Sequence, residues 1–194
     1  MHQLFVVSGC SYMLTGLREA LADEPVQVVP VKAPEEILQY PSRRGKRVIL
    51  VFAPKREPVA AARSMVFLWR WVKVAGKGNR LPVLLMSDIR QYLSLYGACS
   101  LAEHLPVSGL RAAVLDAFQR TGNAGVPAVK VSPSLSKRQY QVLLATLAGV
   151  SVPDTARMLD ISESMVFSAR SGVIDKLGLR NRVVLMSLSL KDFI

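Results

Sequence analysis

Two histidines, His2 and His104, and two cysteines, Cys10 and Cys99, are the residues best suited to move protons, attack a carbonyl or ligate a metal. Two thiols are too few for a disulfide scaffold or a four-ligand zinc site, and they read as reduced thiols of a cytoplasmic protein. Ser8-Gly-Cys-Ser11 follows an apolar run and has the outline of a thiol-bearing turn. Small residues before a helix serve packing just as readily. The chain holds no Gly-rich phosphate loop, metal-spaced cluster or nucleophile elbow. It therefore reads as a non-enzyme that needs no metal and no cofactor.

Charge points to a different kind of chemistry. Lys and Arg number 25 against 14 Asp and Glu, a formal net charge of +11. A chain this basic attracts nucleic acid, anionic membrane or an acidic protein. Both ends of the sequence share the excess: nine basic residues face five acidic ones from position 130 onward, and 16 face nine before it. Arg43, Arg44, Lys46 and Arg47 sit in one expected loop, open to phosphate, an acidic partner or plain solvent. No apolar stretch approaches the roughly 20 residues that cross a bilayer. The start of the chain lacks the pattern of a secretory signal, and no terminal basic amphipathic helix is present, so a membrane is the weakest of the three partners.

These side chains need elements to position them. Residues 121–134 are rich in Gly, Pro and small residues without a sustained period, and are expected to link a domain over 1–120 to one over 135–194. In the first, short apolar runs alternate with helical patterns. Strands are expected at Leu4–Val7, Val26–Val31, Val48–Phe52, Pro82–Met86 and Leu101–His104. Helices are expected at Tyr12–Ala22, Pro34–Gln39, Pro58–Val74, near Ile89–Tyr96 and at Ser108–Phe118. That alternation predicts an α/β domain, a five-stranded parallel sheet covered on both faces in the flavodoxin-like manner.

The second domain reads as four helices. The first follows Ser136 and stops at Gly149. Ser151-Val-Pro-Asp154 has the look of a capping box and opens a short helix to Leu159. Asp160-Ile-Ser162 makes a tight connection to a helix from Glu163 to Leu177, stopped by Gly178. Asn181 caps a fourth helix through Leu190. Two short helices joined by a few residues allow the second to enter a major groove about 12 Å wide.

Within this layout Leu135-Ser-Lys-Arg-Gln-Tyr-Gln-Val-Leu143, Leu147-Ala-Gly149, Ala156-Arg-Met-Leu159, Ile161-Ser-Glu-Ser-Met-Val166 and Lys176-Leu-Gly178 together resemble the LuxR/NarL-type helix-turn-helix, in one register over about 55 residues. The family has Glu where this chain has Gln139, Ile at Thr155, Thr at Met165 and often His at Ala169. The resemblance implies double-stranded DNA as partner, with Phe167, Ser168 and Ser171 presented to the groove. It makes Arg170, Lys176, Arg180 and Arg182 candidates for phosphate contact or a solvated face. Val166, Ile174 and Leu177 are expected in the core.

Such domains often follow a phosphoacceptor receiver, and the first 115 or so residues resemble one through Val6-Val-Ser-Gly-Cys-Ser-Tyr-Met-Leu-Thr-Gly16-Leu17. A receiver places an acidic pair after the first strand, an Asp at the end of the third, Ser or Thr after the fourth and Lys at the fifth. Here Ser8 and Gly9, Phe52, Ser87 and His104 occupy those positions. An aspartyl-phosphate site needs an acceptor carboxylate and oxygen ligands for a hard cation, which Ser8, Gly9 and Phe52 do not supply. Asp88 would serve only in a different register.

The whole reads as a cytoplasmic, sequence-specific transcription regulator with a degenerate receiver. It is expected to act as a homodimer, or as a heterodimer with another response regulator, independently of Mg²⁺-dependent phosphorylation. The apolar residues Val183–Met186 and Leu188 suit a dimer contact or a monomer core. The alternative is an adaptor that no longer binds DNA, which Ala169 and the helix-weakening Gly172 would suit.

Overall fold

The computed structural model describes residues 1–40, 45–75, 81–89, 98–120 and 135–193. Arg43 and Arg44, the helix expected near Ile89–Tyr96 and the linker expected over 121–134 fall on residues outside these. The chain forms two compact units that divide after Ser132.

The N-terminal unit runs β1 (His2–Val7), α1 (Ser11–Ala20), β2 (Val26–Pro30), α2 (Pro34–Gln39), β3 (Arg47–Phe52), α3 (Pro58–Ala75), β4 (Val83–Met86), β5 (Cys99–Leu101) and α4 (Val107–Arg120). All strand pairs are parallel and the order is β2-β1-β3-β4-β5. This is the flavodoxin-like arrangement expected from the alternation of strand and helix. Leu4–Val7 of β1, Val48–Phe52 of β3 and all of β4 are apolar because both faces are covered there. Leu4, Val6, Val48, Leu50, Leu84 and Met86 form one core with Leu17 and Leu21 from the α1 region and Leu110, Val114 and Phe118 of α4. Successive side chains alternate across a strand, so Phe5, Ile49, Val51 and Leu85 are buried on the other face, where Phe5 meets Tyr40 edge-on.

One strand differs from expectation. Residues 102–104 do not extend the sheet. Cys99–Leu101 pair with Leu84–Met86 instead. The chain then turns, with Leu105 N–H donating to Ala102 O and Glu103 N–H to the Asp88 carboxylate. His104 is exposed beyond the end of β5.

The C-terminal unit contains α5 (Lys137–Leu147), α6 (Val152–Leu159), α7 (Glu163–Lys176), α8 (Arg182–Met186) and a 3₁₀ turn at Leu190–Asp192. Val142, Ala156, Val166 and Ala169 form its centre, flanked by Val152, Leu159 and Ile161. The last helix is shorter than the apolar run Val183–Leu190 suggests. Ser187 Oγ donates to Val183 O and Val184 O, and its backbone N–H turns back to Val184 O. These bonds take the carbonyls that a longer helix would use. Among the described residues no helix is long and apolar enough to cross a membrane.

Leu50 is fully buried at the centre of β3. Leu50→Ala is expected to lower the unfolding free energy by about 2–5 kcal/mol, measured by urea denaturation of the N-terminal unit. A loss under about 1 kcal/mol would place Leu50 outside the cooperative core.

Candidate nucleic-acid interface

Three helix ends set the geometry of the C-terminal unit. Gly149 closes α5 at φ +78°, Asp160 closes α6 at φ 50° and Gly178 closes α7 at φ 63°. Each is a left-handed residue with the same pair of bonds. Gly149 N–H reaches Thr146 O and Val150 N–H reaches Ala145 O. Asp160 and Ile161 repeat this on Arg157 and Ala156, and Gly178 and Leu179 on Asp175 and Ile174. This double closure satisfies the last carbonyls and turns the chain sharply. Glycine adopts the conformation freely, and Asp is among the few other residues that tolerate it.

Serine or asparagine opens every helix in this unit. Ser136 Oγ accepts from Gln139 N–H, and Gln139 Oε1 accepts from Ser136 N–H in return, a full capping box. Ser151 accepts from Asp154 N–H, Ser162 from Met165 N–H and Asn181 from Val184 N–H. The box expected at Ser151–Asp154 is only half formed. Asp is one carbon shorter than Glu, and its carboxylate takes the Ser151 hydroxyl proton instead of the backbone N–H.

Stop and cap meet at Asp160-Ile-Ser162, so α6 and α7 are joined by three residues. Helix α7 then packs one stripe on the core: Val166, Ala169, Arg170 and Val173, continued by Leu177. Ile174 is only half-buried. The opposite side carries Ser164, Ser168 and Ser171, all exposed, with Phe167 at its edge, 53% exposed. Ser168 donates to Ser164 O, leaving its oxygen lone pairs outward. Ser164 belongs to this face but was missed from sequence; it stands about 200° around the helix from the buried Val166 and one turn before Ser168, which marks it.

The expected cations are placed differently from one another. Arg180 and Arg182 are exposed beyond the end of α7. Lys176 is half-buried, and its Nζ donates to Gln139 Oε1 at 2.8 Å. Arg170 departs from the expected solvated position: it is 5% exposed, and its Cζ lies 5.9 Å from the Phe167 ring centroid. Burial, and after it the charge of Arg182, hold the Arg170 pKa below the ordinary arginine value. The Gln139–Lys176 bridge was also unread from sequence. Gly172 leaves room for the Gln139 side chain, since a Cβ there would lie 2.5 Å from Gln139 Nε2.

The receiver-like positions Ser8, Gly9, Phe52, Ser87 and His104 carry no carboxylate. Ser8 Oγ accepts from Cys10 N–H. Phe52 ends β3 with its side chain packed against the core below. Ser87 Oγ is buried, donating to Ala53 O and accepting from Ile89 N–H. Asp88 follows β4 rather than β3, and its carboxylate is engaged by Glu103 N–H. The residues therefore do not fit an Mg²⁺-bound aspartyl-phosphate. Among the described residues no group of three or more His, Cys, Asp or Glu side chains is placed to hold a metal.

Residues 133–189 match the family described as "Bacterial regulatory proteins, luxR family". No curated protein sequence matches the chain significantly. Among solved structures, full-length FixJ from B. japonicum is similar at 18% identity and a TM-score of 0.44, covering 98% of this chain and 97% of that one. The two-component response regulator RcsB in its DNA complex is similar at 14% identity and a TM-score of 0.45, covering 100% and 98%. RcsB from Salmonella enterica serovar Typhimurium bound to a promoter is similar at 16% identity and a TM-score of 0.48, covering 95% and 96%.

Gln139 joins the start of α5 to the end of α7. Gln139→Ala is expected to destabilise the C-terminal unit by about 1 kcal/mol through loss of the reciprocal cap and the Lys176 bond, read by urea denaturation. Unchanged stability would show that the bridge contributes nothing.

Proposed function

We propose, from the match of residues 133–189 to the luxR family of bacterial regulatory proteins, that the chain is a sequence-specific DNA-binding transcription regulator that acts as a dimer without Mg²⁺-dependent aspartyl phosphorylation. The observation that supports this most directly is the two-sided α7. Its core stripe anchors the helix, and Ser164, Ser168 and Ser171 leave the outer side small and polar. A helix about 10–12 Å across with its side chains matches a major groove about 12 Å wide, and short side chains let its backbone approach the base edges closely. Hydroxyls serve either donors or acceptors on base edges, and Phe167 suits a thymine methyl. Arg180 and Arg182 are exposed just beyond α7 and, on this reading, meet backbone phosphates, which supplies affinity without sequence information. Lys176, held by Gln139, adds a positioned cation.

Dimerisation rests on α8. Leu185 and Leu188 are buried, while Val183 and Met186 remain 75% and 45% exposed on the same short helix. One recognition helix reads a half-site, and two-fold pairing is the usual way to extend it. Phosphorylation independence rests on Phe52, Ser8 and Gly9 standing where carboxylates would be needed. The adaptor alternative drew on Gly172, whose lack of a side chain is now accounted for by Gln139.

Fluorescence anisotropy of the full chain on duplex DNA over a salt series tests the reading. The logarithm of the binding constant should fall linearly with that of salt concentration. Ser171→Glu, which places a carboxylate among phosphates, should weaken binding at least tenfold at moderate salt without changing thermal stability. Wild-type protein with no salt-dependent binding, or Ser171→Glu binding as well as wild type, would contradict it. Acetyl phosphate with Mg²⁺ should leave the affinity within twofold; a tenfold gain would show that a phosphoacceptor remains.

A further inference from the structure

Arg170 is a buried charged side chain with no ion-pair partner among the described residues. It is 5% exposed. Its Nε and Nη1 are shut off from solvent and have no hydrogen-bond partner. The ion pairs among described residues join Arg70 to Glu35, Arg111 to Glu24, Arg120 to Asp116 and Arg157 to Asp154, and none includes Arg170. The charge that acts on it most is a like one, Arg182. The Phe167 ring lies 5.9 Å from its Cζ, near the outer limit of a cation–π contact. A core position built for stability would hold an apolar residue here, since replacing buried charge with packed hydrocarbon is commonly neutral or stabilising.

The place of Arg170 on α7 gives this cost a use. Three residues separate it from Phe167, about 60° around the helix, so it sits where the core stripe meets the outer side. Arginine is long and flexible, and can move its head to the surface while its stem stays packed. On the flank shared with Arg182 that head would meet an anion with two cations converging. The bidentate fork of a guanidinium suits phosphate oxygens.

We propose that Arg170 is a latent phosphate ligand, folded beneath Phe167 in the free domain and turned outward to share a DNA backbone phosphate with Arg182 when α7 enters the groove. The inference rests on the DNA-binding reading above. It makes a specific statement about energetics: the same side chain weakens the free fold and strengthens the complex. A structural arginine would strengthen both.

The test pairs thermal denaturation of the full chain with anisotropy on duplex DNA from 50 to 300 mM salt, for wild type, Arg170→Met and Arg170→Lys. Arg170→Met is expected to melt a few degrees higher than wild type, to bind about tenfold more weakly at low salt, and to show a log–log salt slope smaller by about 0.9, the value for one phosphate. Arg170→Lys should retain the wild-type slope, because it keeps the charge. A wild-type slope in Arg170→Met, or a lower melting temperature in both variants, overturns the inference while leaving DNA binding intact. Wild-type protein that binds no DNA overturns the functional reading, and the latent ligand with it.

Discussion

The left-handed turn at Asp160 is the constraint on which the C-terminal unit depends. It ends α6, satisfies two of its carbonyls and leaves one residue, Ile161, before Ser162 caps α7. A shorter or looser connection would rotate α7 about its axis. Each residue gained or lost there would turn the helix by about 100° and carry its buried stripe off the core. The positions of Val166, Val173 and Leu177 in the core, and of Ser164, Ser168 and Ser171 outside it, follow from that one fixed start. Gly149 and Gly178 do the same for the ends of α5 and α7, so the helices are placed by backbone geometry before side-chain packing refines them.

The N-terminal unit shows a fold maintained apart from the chemistry its topology commonly supports. Its sheet has the strand order in which ligands are bound beyond the carboxyl ends of the strands. At those ends the chain places Phe52 against the core and ties Ser8, Ser87 and Asp88 to backbone groups. Hydrogen bonds that would serve an anion or a hard cation instead hold loops together. The unit keeps the stability of a parallel sheet covered on both sides and gives up an acceptor carboxylate.

Much of this was legible because the signals are local. The sheet order follows from apolar runs spaced by helical patterns, and the caps at Ser136, Ser151, Ser162 and Asn181 follow from residue type and position. The misread strand β5 has a physical cause: Cys99 and Ser100 are exposed on an edge, so no apolar run announces them. The overlong final helix came from treating Val183–Leu190 as one period, whereas Ser187 captures carbonyls by a bond that composition does not reveal. Arg170 and the Gln139–Lys176 bridge were unreadable for a related reason. Charged residues are ordinarily placed outside, and only the arrangement of α5, α7 and Phe167 in space brings these inside.

The central claim is that α7, in a dimer of this chain, reads DNA without help from a phosphodonor. It is tested most directly by incubating the purified full chain alone with a pool of genomic DNA fragments at several salt concentrations and sequencing what is retained. The account predicts a shared motif with two-fold symmetry, its half-sites about one helical turn apart. Fragments with no common motif, retained only at low salt, would contradict it.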